Sequence, residues 1–324
     1  MIVVWIVMLL LGVAGAAGAS RWAVGHAIAI ADRLGVSRGL VGVTLVAIGT
    51  DLPEIANSIS ASLSGHGDLN VGDSTGSALT QVTLVLALLL FASPANPLAG
   101  RMVRRASADG ERDVVVPVGL MTVFATLIIV ILVSDGLLSR LDGLILVLIW
   151  AVSMVAVSRM QRQEDPVVER IDVGTSRRAA LLIGWLLVVA VSATAVVRSF
   201  VELTEIIGVP ELIASTIVLA LGTSLPELVV DWTAIRRGAS ALALGNLFGS
   251  SLFDATLSIG IGPTVRPTDI SSDAVWSVLI VAAGVAAATW IARPASRAGR
   301  RASAASLLAV YVACTIGMLA VAAI

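Results

Sequence analysis

Lysine is absent from this 324-residue chain, and all 21 basic residues are Arg. Codon usage in an Ala-, Gly- and Arg-rich composition accounts for that. The absence still removes one kind of chemistry, because no Ser–Lys nucleophile pair can be built. Histidine is confined to His26 and His66, which excludes an H-E-x-x-H metal site. Both fall in connecting stretches and read as surface residues. One cysteine, Cys314, excludes an internal disulfide; it lies in the last apolar run and reads as a small buried hydrophobe. Charge is scarce too, at 13% of residues against 57% hydrophobic, where soluble domains carry about 25% charge. The longest polar stretch, Arg159 to Arg178, is too short for a soluble domain.

What remains is apolar and long. Runs near the ~20 residues needed to cross a bilayer recur along the whole chain. We read ten spans: 2–18, 40–63, 70–92, 114–133, 137–158, 179–199, 211–235, 241–262, 274–292 and 304–323. Met1 to Gly18 is apolar with no basic n-region, so the first span is expected to be retained rather than cleaved. The polar stretch at the centre divides the chain into a first five-span half (1–160), a linker (161–178) and a second five-span half (179–324). With the N-terminus outside, 18 Arg fall in cytoplasmic connections and 3 outside. That asymmetry sets the expected orientation, with the linker cytoplasmic and the chain a multi-pass protein of the plasma membrane.

The two halves carry the same words. Gly49-Thr50-Asp51-Leu52-Pro53-Glu54 returns 173 residues later as Gly222-Thr223-Ser224-Leu225-Pro226-Glu227. At the same offset, Gly72-Asp73-Ser74-Thr75-Gly76-Ser77 faces Gly245-Asn246-Leu247-Phe248-Gly249-Ser250. Positions 44–81 and 217–254 align without a gap, with 13 of 38 identical. Five spans is an odd number, so the second half enters upside down. Residues 64–69, after the first motif, hold no Arg, whereas Arg236-Arg237 follow the second. Inverted repeats with broken helices and a midplane site are a common transporter architecture. The expected fold is therefore an all-α polytopic membrane protein: ten transmembrane helices in two inverted five-helix repeats, with helices 2 and 7 broken.

The motif carries ion chemistry. Pro53 has no N–H for the carbonyl of Gly49, and Pro226 none for Gly222, so each helix opens or kinks before its proline. Freed carbonyls cannot stay unpaired in hydrocarbon. Thr50 and Thr223 add hydroxyls, and Glu54 and Glu227 add carboxylates one residue beyond the prolines. Such hard oxygens suit Ca²⁺, Na⁺ or Mg²⁺. The second motif faces them with Ser77 and Ser250, then, four residues along the same face, Gln81 and Asp254. Two Glu and one Asp hold up to three negative charges: enough for one divalent ion or two or three monovalent ones, not both. Competition for the same oxygens is the physical basis of antiport.

Plainer readings stand beside this one. The glutamates could be protonated and structural, the prolines mere kinks. The motif glycines read chiefly as packing residues. Asp51 fits an ion site or a water-filled vestibule equally. Asp73 and Asp231 lie nearer span ends and read as solvent-accessible or as helix–helix hydrogen bonds. Arg236-Arg237 read as topology and headgroup residues.

G-T-x-L-P-E in spans 2 and 7 and G-[DN]-x-x-G-S in spans 3 and 8 resemble the Ca²⁺/cation antiporter superfamily, of the prokaryotic sodium/calcium exchanger type. The resemblance implies two intertwined five-helix repeats whose long, tilted spans 1 and 6 slide across a compact remainder. It implies that Thr50, Glu54, Thr223 and Glu227 are Ca²⁺ ligands. Ala47, Ser77, Ala220 and Ser250 match positions lining the outer and inner Na⁺ sites, and Asp254, opposite Gln81, the middle one. The implied function is exchange of Ca²⁺ for Na⁺ by alternating access. No cofactor is expected, since the ions are substrates. The expected partners are those ions and the lipid bilayer, with no nucleic acid and no required protein partner. Departures concern coupling: Asp51 stands where Ser is usual and Ser224 is kept; Asp73 stands where Asn is usual and Asn246 is kept; Ala78 and Ser251 stand where Asn is common. These residues leave H⁺ or K⁺ coupling as the alternative. An intramembrane aspartyl hydrolase would need Asp51 and Asp254 facing each other, and a passive channel is disfavoured because the site is built within one chain.

Overall fold

A computed structural model describes residues 2–92, 114–161, 173–206, 224–293 and 299–321. Helix α1 (Ile2–Leu34) is followed by α2 (Arg38–Thr50) and α3 (Leu52–Ser64), which meet at a 46° bend. Then come α4 (Gly67–Phe91), α5 (Val115–Leu132), α6 (Arg140–Gln161) and α7 (Val173–Ile206). The chain continues as α8 (Leu225–Arg236), α9 (Ser240–Val265), α10 (Ser272–Ile291) and α11 (Arg300–Val321). Eight of these helices are long and apolar enough to cross a membrane, and the bent α2–α3 pair makes a ninth span. The expected seventh span appears as α8, with 12 residues; its preceding stretch, 207–223, lies outside the described residues.

Two details differ from the sequence expectation. One two-residue ribbon interrupts the all-α pattern: β1 (Leu137–Leu138) pairs antiparallel with β2 (Thr268–Asp269). Spans 1 and 6 are also far longer than 2–18 and 179–199, at 33 and 34 residues. Ser20 and Arg21 break the apolar run but not the helix. The Ser20 hydroxyl donates to the Ala17 carbonyl at 3.0 Å and meets the Thr233 hydroxyl at 2.8 Å. Beyond it Ala23, Ala27, Ile30 and Ala31 are buried. At 1.5 Å per residue such a helix is about 50 Å long, against ~30 Å of hydrocarbon, so it exceeds what one perpendicular crossing needs. Gly15 of α1 faces Ser192 of α7, and Trp22 stacks on Trp185 at 5.9 Å, so the two long helices run antiparallel. Residues 173–178 of the expected linker are already helix α7; 162–172 lie outside the described residues.

The repeat is visible in the backbone. Helices α4 and α9 begin 173 residues apart, at Gly67 and Ser240. Each carries one π-helical turn at the matching place, Gln81–Val85 and Asp254–Ser258. Gly65 and Gly238, also 173 apart, end α3 and α8 with φ of 80° and 74°, a left-handed cap that a Cβ would strain. The two caps sit at opposite ends of the molecule. Arg266, just past the end of α9, donates to the Leu63 carbonyl beside Gly65. Asp68 accepts from the Ser271 amide at 2.8 Å at that same end. Gly238 lies at the start of α9, 26 residues away along a continuous helix. The second half is thus inverted relative to the first.

Two apolar cores hold the frame. One joins α4, α5, α9 and α10 through residues such as Leu79, Phe248, Leu252, Val278 and Val285. The other ties the long helices to α2 and α8 through Ala23, Ile30, Val46, Leu182, Leu186 and Val230. Between them, α9 lies directly on α2. A Cβ on Gly249 would sit 2.6 Å from the Cα of Val43, and one on Gly42 would sit 2.8 Å from the amide nitrogen of Asn246. Glycine here permits backbone contact between helices.

Candidate ion-binding site

The break between α2 and α3 centres on Asp51, with φ −86° and ψ 10°. Its mirror position, Ser224, has φ −81° and ψ 4°. Pro53 and Pro226 each fall in the first turn of the helix that resumes, where a missing N–H is tolerated. Upstream, the Asp51 amide still donates to the Ala47 carbonyl at 3.0 Å. The proline removes the donor that the Gly49 carbonyl would meet in a continuous helix. Glu54 and Glu227 therefore start new helices in the molecule's interior, where the positive helix end favours a carboxylate.

Those helix starts converge. One carboxylate oxygen from each of Asp51, Glu54 and Glu227 lies within 4.8 Å of the others. All three side chains are fully buried, and among the described residues none of their six oxygens has a hydrogen-bond partner. Asp254 stands in the same buried region: its Oδ2 accepts from Gln81 Nε2 at 3.1 Å, while its Oδ1 is left without a partner.

Hydroxyls and amides surround the acids. The Thr50 hydroxyl lies 3.4 Å from the Ser250 hydroxyl and 3.4 Å from Asn246 Oδ1. It also donates to the Ala47 carbonyl at 3.2 Å. The Ser77 hydroxyl meets that of Ser224 at 3.1 Å, and Gln81 Nε2 reaches Ser77 at 3.4 Å. The Ser251 hydroxyl donates to the Ala78 carbonyl at 3.0 Å. Pairs Gln81–Asp254 and Ala78–Ser251 join residues 173 apart, so α4 and α9 cross on the pseudo-two-fold axis.

Among the described residues, the buried charged side chains are Asp51, Glu54, Asp73, Glu227, Asp231 and Asp254; no Arg or His is buried with them. Burying that many unpaired carboxylates is costly unless cations or protons neutralise them. The donor set is all oxygen, from carboxylates, hydroxyls and a broken backbone. It can take a hard cation and has nothing soft to offer.

The sequence candidates fall as follows. Thr50, Glu54, Ser77, Gln81, Glu227, Ser250 and Asp254 are gathered into this buried region, with Ala47 fully buried beside Thr50. Ala220 and Thr223 lie outside the described residues. Asp51 is 0% exposed and sits with the two glutamates, not in a vestibule. Asp73 and Asp231 are also buried rather than solvated. Asp73 accepts from Asn57, and Asp231 accepts from Asn246 Nδ2 at 2.9 Å. Gly245 and Gly249 are packing residues, as expected; the counterpart surface for Gly72 and Gly76, around 212–216, lies outside the described residues. His66 is exposed and His26 half-buried.

Sequence reasoning missed Asn57, the partner of Asp73. It occupies a position one residue off the mirror of Asp231, so the offset of 173 does not flag it. The π turns were missed as well. Their signal is the pair Thr83 and Thr256, 173 apart, each bonding the carbonyl four residues back at 2.5 Å. Such turns often mark functional sites; of the three described, two begin at Gln81 and Asp254, and the third, Gly42–Val46, lies in α2.

Comparison with known proteins agrees with this geometry. The family model "Sodium/calcium exchanger protein" matches residues 4–159 and 178–320. The inner membrane protein YrbG of Escherichia coli (strain K12) is 30% identical over 247 residues, 73% of this chain and 72% of that one. The sodium/calcium exchanger MaX1 of Methanosarcina acetivorans is 25% identical over 313 residues, 84% of this chain and 86% of that one. A solved structure of the sodium-calcium exchanger NCX_Mj shares the fold, with TM-score 0.75 and 24% identity over 97% of this chain and 98% of that one. Members of this family are ion transporters rather than enzymes, which removes the aspartyl hydrolase. By the family model and the YrbG match together, the chain belongs to the sodium/calcium exchanger family.

Proposed function

We propose that the protein is a secondary antiporter that exchanges Ca²⁺ for Na⁺ across the membrane, with alternating access at the buried carboxylate cluster. The observation that carries this is the convergence of Glu54 and Glu227 from two inverted, proline-interrupted helices, with no buried basic side chain among the described residues to neutralise them. Thr50, Glu54, Thr223 and Glu227 take the divalent ion. Ala47 and Ser250, both beside Thr50, line one position for Na⁺, and Ser77, against Ser224, lines the other, to which repeat symmetry assigns Ala220, with Gln81 and Asp254 between them. Occupation by one divalent ion or by several monovalent ions satisfies the same oxygens, so each load displaces the other. The long antiparallel pair α1 and α7 is the natural moving part, because it lies across both broken helices while α4 and α9 are held at their crossing by the Gln81–Asp254 and Ser251–Ala78 hydrogen bonds.

Orientation follows the arginine distribution: N-terminus outside, central linker cytoplasmic, in the plasma membrane. The ions are the only cargo required, and neither a cofactor nor a protein partner enters the cycle.

One observation favours a second coupling mode. Asp51 brings a third carboxylate into the cluster, where its mirror position holds Ser224. An extra charge there invites H⁺ or K⁺ as a coupling ion beside Na⁺. Both readings are tested by ⁴⁵Ca²⁺ uptake into proteoliposomes loaded in parallel with Na⁺, K⁺ or acid. Uptake driven by trapped Na⁺ and lost on collapse of its gradient supports Na⁺ coupling. Uptake driven only by K⁺ or H⁺ selects the alternative. Uptake indifferent to every gradient overturns antiport.

A further inference from the structure

A lateral crevice of about 850 Å³ opens between α1, the end of α4 and α8. Its floor is apolar and includes Phe91, Leu228 and Trp232. Three arginines, Arg21, Arg236 and Arg237, also line it, and among the described residues no acidic side chain does. The two helices that frame it are stitched together by Ser20 and Thr233 at 2.8 Å. Arg237 crosses to α1, where a Cβ on Gly25 would lie 2.9 Å from its Nη1. Arg21 is one helical turn from that contact, so the three guanidiniums gather near the end of the molecule where α8 stops. Phe91 and Trp232 are 48% and 37% exposed, so the apolar floor faces outward from the helix bundle.

We propose that this crevice binds one anionic glycerophospholipid, its phosphate held by Arg21, Arg236 and Arg237 and an acyl chain laid along Phe91, Leu228 and Trp232. Guanidiniums match phosphate oxygens with paired hydrogen bonds. Basic pockets between spanning helices are suited to anionic headgroups. A tryptophan at the polar edge with aliphatic side chains behind it matches the gradient from headgroup to acyl chain. A soluble phosphate would use the arginines but leave the apolar floor bare. A zwitterionic lipid would fill the floor but leave three cations in excess. The lipid wedges between α1 and α8, two helices that must shift against each other if α1 moves.

The test is native mass spectrometry of the delipidated full chain in neutral detergent, titrated with phosphatidylglycerol and with phosphatidylcholine of identical chains. The first phosphatidylglycerol is expected to bind at least about tenfold more tightly. In the variant carrying Arg21→Gln, Arg236→Gln and Arg237→Gln, that preference is expected to vanish. The variant with Arg159→Gln, Arg177→Gln and Arg301→Gln, which removes equal charge from exposed positions, is expected to keep it. Equal binding of the two lipids, equal loss in both variants, or displacement by soluble glycerol phosphate would overturn the proposal. A second measurement needs no variant: phosphatidylglycerol with a photoactivatable acyl chain is expected to label peptides containing Phe91 or Trp232, more than the matched phosphatidylcholine does. Labelling spread evenly over the lipid-facing helices would overturn it equally.

Discussion

Gln81 and Asp254, 173 residues apart, meet at 3.1 Å across the pseudo-two-fold axis. Each begins the π turn of its own helix, α4 or α9, so one position of the repeat touches its own image. Two acids there would repel; one acid and one amide hold each other.

Replacing Gln81 with Leu leaves the fully buried Asp254 without its amide donor. The expected loss is about 1–2 kcal/mol of stability, the range for a buried interhelical hydrogen bond in a membrane protein. Asp254→Asn still offers an oxygen to Gln81 and should cost less than Gln81→Leu. Thermal unfolding in detergent checks both, and a Gln81→Leu protein as stable as the parent would remove the pair's structural role.

Asp51 and Ser224 are mirror residues with nearly the same backbone, yet one is charged. If Asp51 neutralises a coupling ion, Asp51→Ser should lower the number of monovalent ions exchanged per Ca²⁺ by about one, on simple charge balance within the cluster. The reversal condition, the pair of ion gradients at which net Ca²⁺ flux is zero, reports that ratio. An unshifted reversal would make Asp51 a bystander to coupling.

Helix contact without side chains predicts a sharp glycine effect. A Cβ on Gly249 would press the Val43 backbone at 2.6 Å. Gly249→Ala should therefore cost about 1–3 kcal/mol, the usual range for overpacking. On α7, a Cβ at Gly184 meets nothing within 4 Å, and Gly184→Ala should be neutral or gain up to ~1 kcal/mol from helix propensity. Melting temperatures of the two variants should move in opposite directions or differ clearly in size.

The inversion has its own test. Ser64 and Arg237 are mirror positions, both exposed, beside the caps Gly65 and Gly238. They are better reporters than Gly67 and Ala239, which are buried. In a Cys314→Ala background, Ser64→Cys should react with an impermeant maleimide from outside and Arg237→Cys only after permeabilisation. Labelling of both from one side would contradict the inverted repeat.

Much of this was readable in the residues, for a specific reason. The ungapped duplication places two acids, two prolines and two Gly-Ser motifs in register, and costly groups in hydrocarbon are not repeated without a job. That is why Glu54, Glu227, Ser77, Ser250, Gln81 and Asp254 meet as expected. The full length of α1 was hidden because Ser20, Arg21 and His26 interrupt the hydropathy while packing against α7 and α8. The Asn57–Asp73 bond was hidden because its second-half equivalent, Asn246–Asp231, puts the acid on the opposite helix. The β1–β2 ribbon is a matter of backbone geometry that two residues do not announce, and the Thr83–Thr256 signal of the π turns was hidden because threonines bond the carbonyl four residues back elsewhere too, as at Thr75, Thr122 and Thr289.

The central claim is that Glu54 and Glu227 together hold the divalent ion. Ca²⁺–Ca²⁺ self-exchange in proteoliposomes tests it most directly, because no coupling ion takes part. Glu54→Gln and Glu227→Gln should each slow ⁴⁵Ca²⁺ self-exchange by roughly a hundredfold or more, as expected when breaking a buried charge pair costs about 3 kcal/mol or above. Self-exchange at the parental rate in either variant would contradict the account.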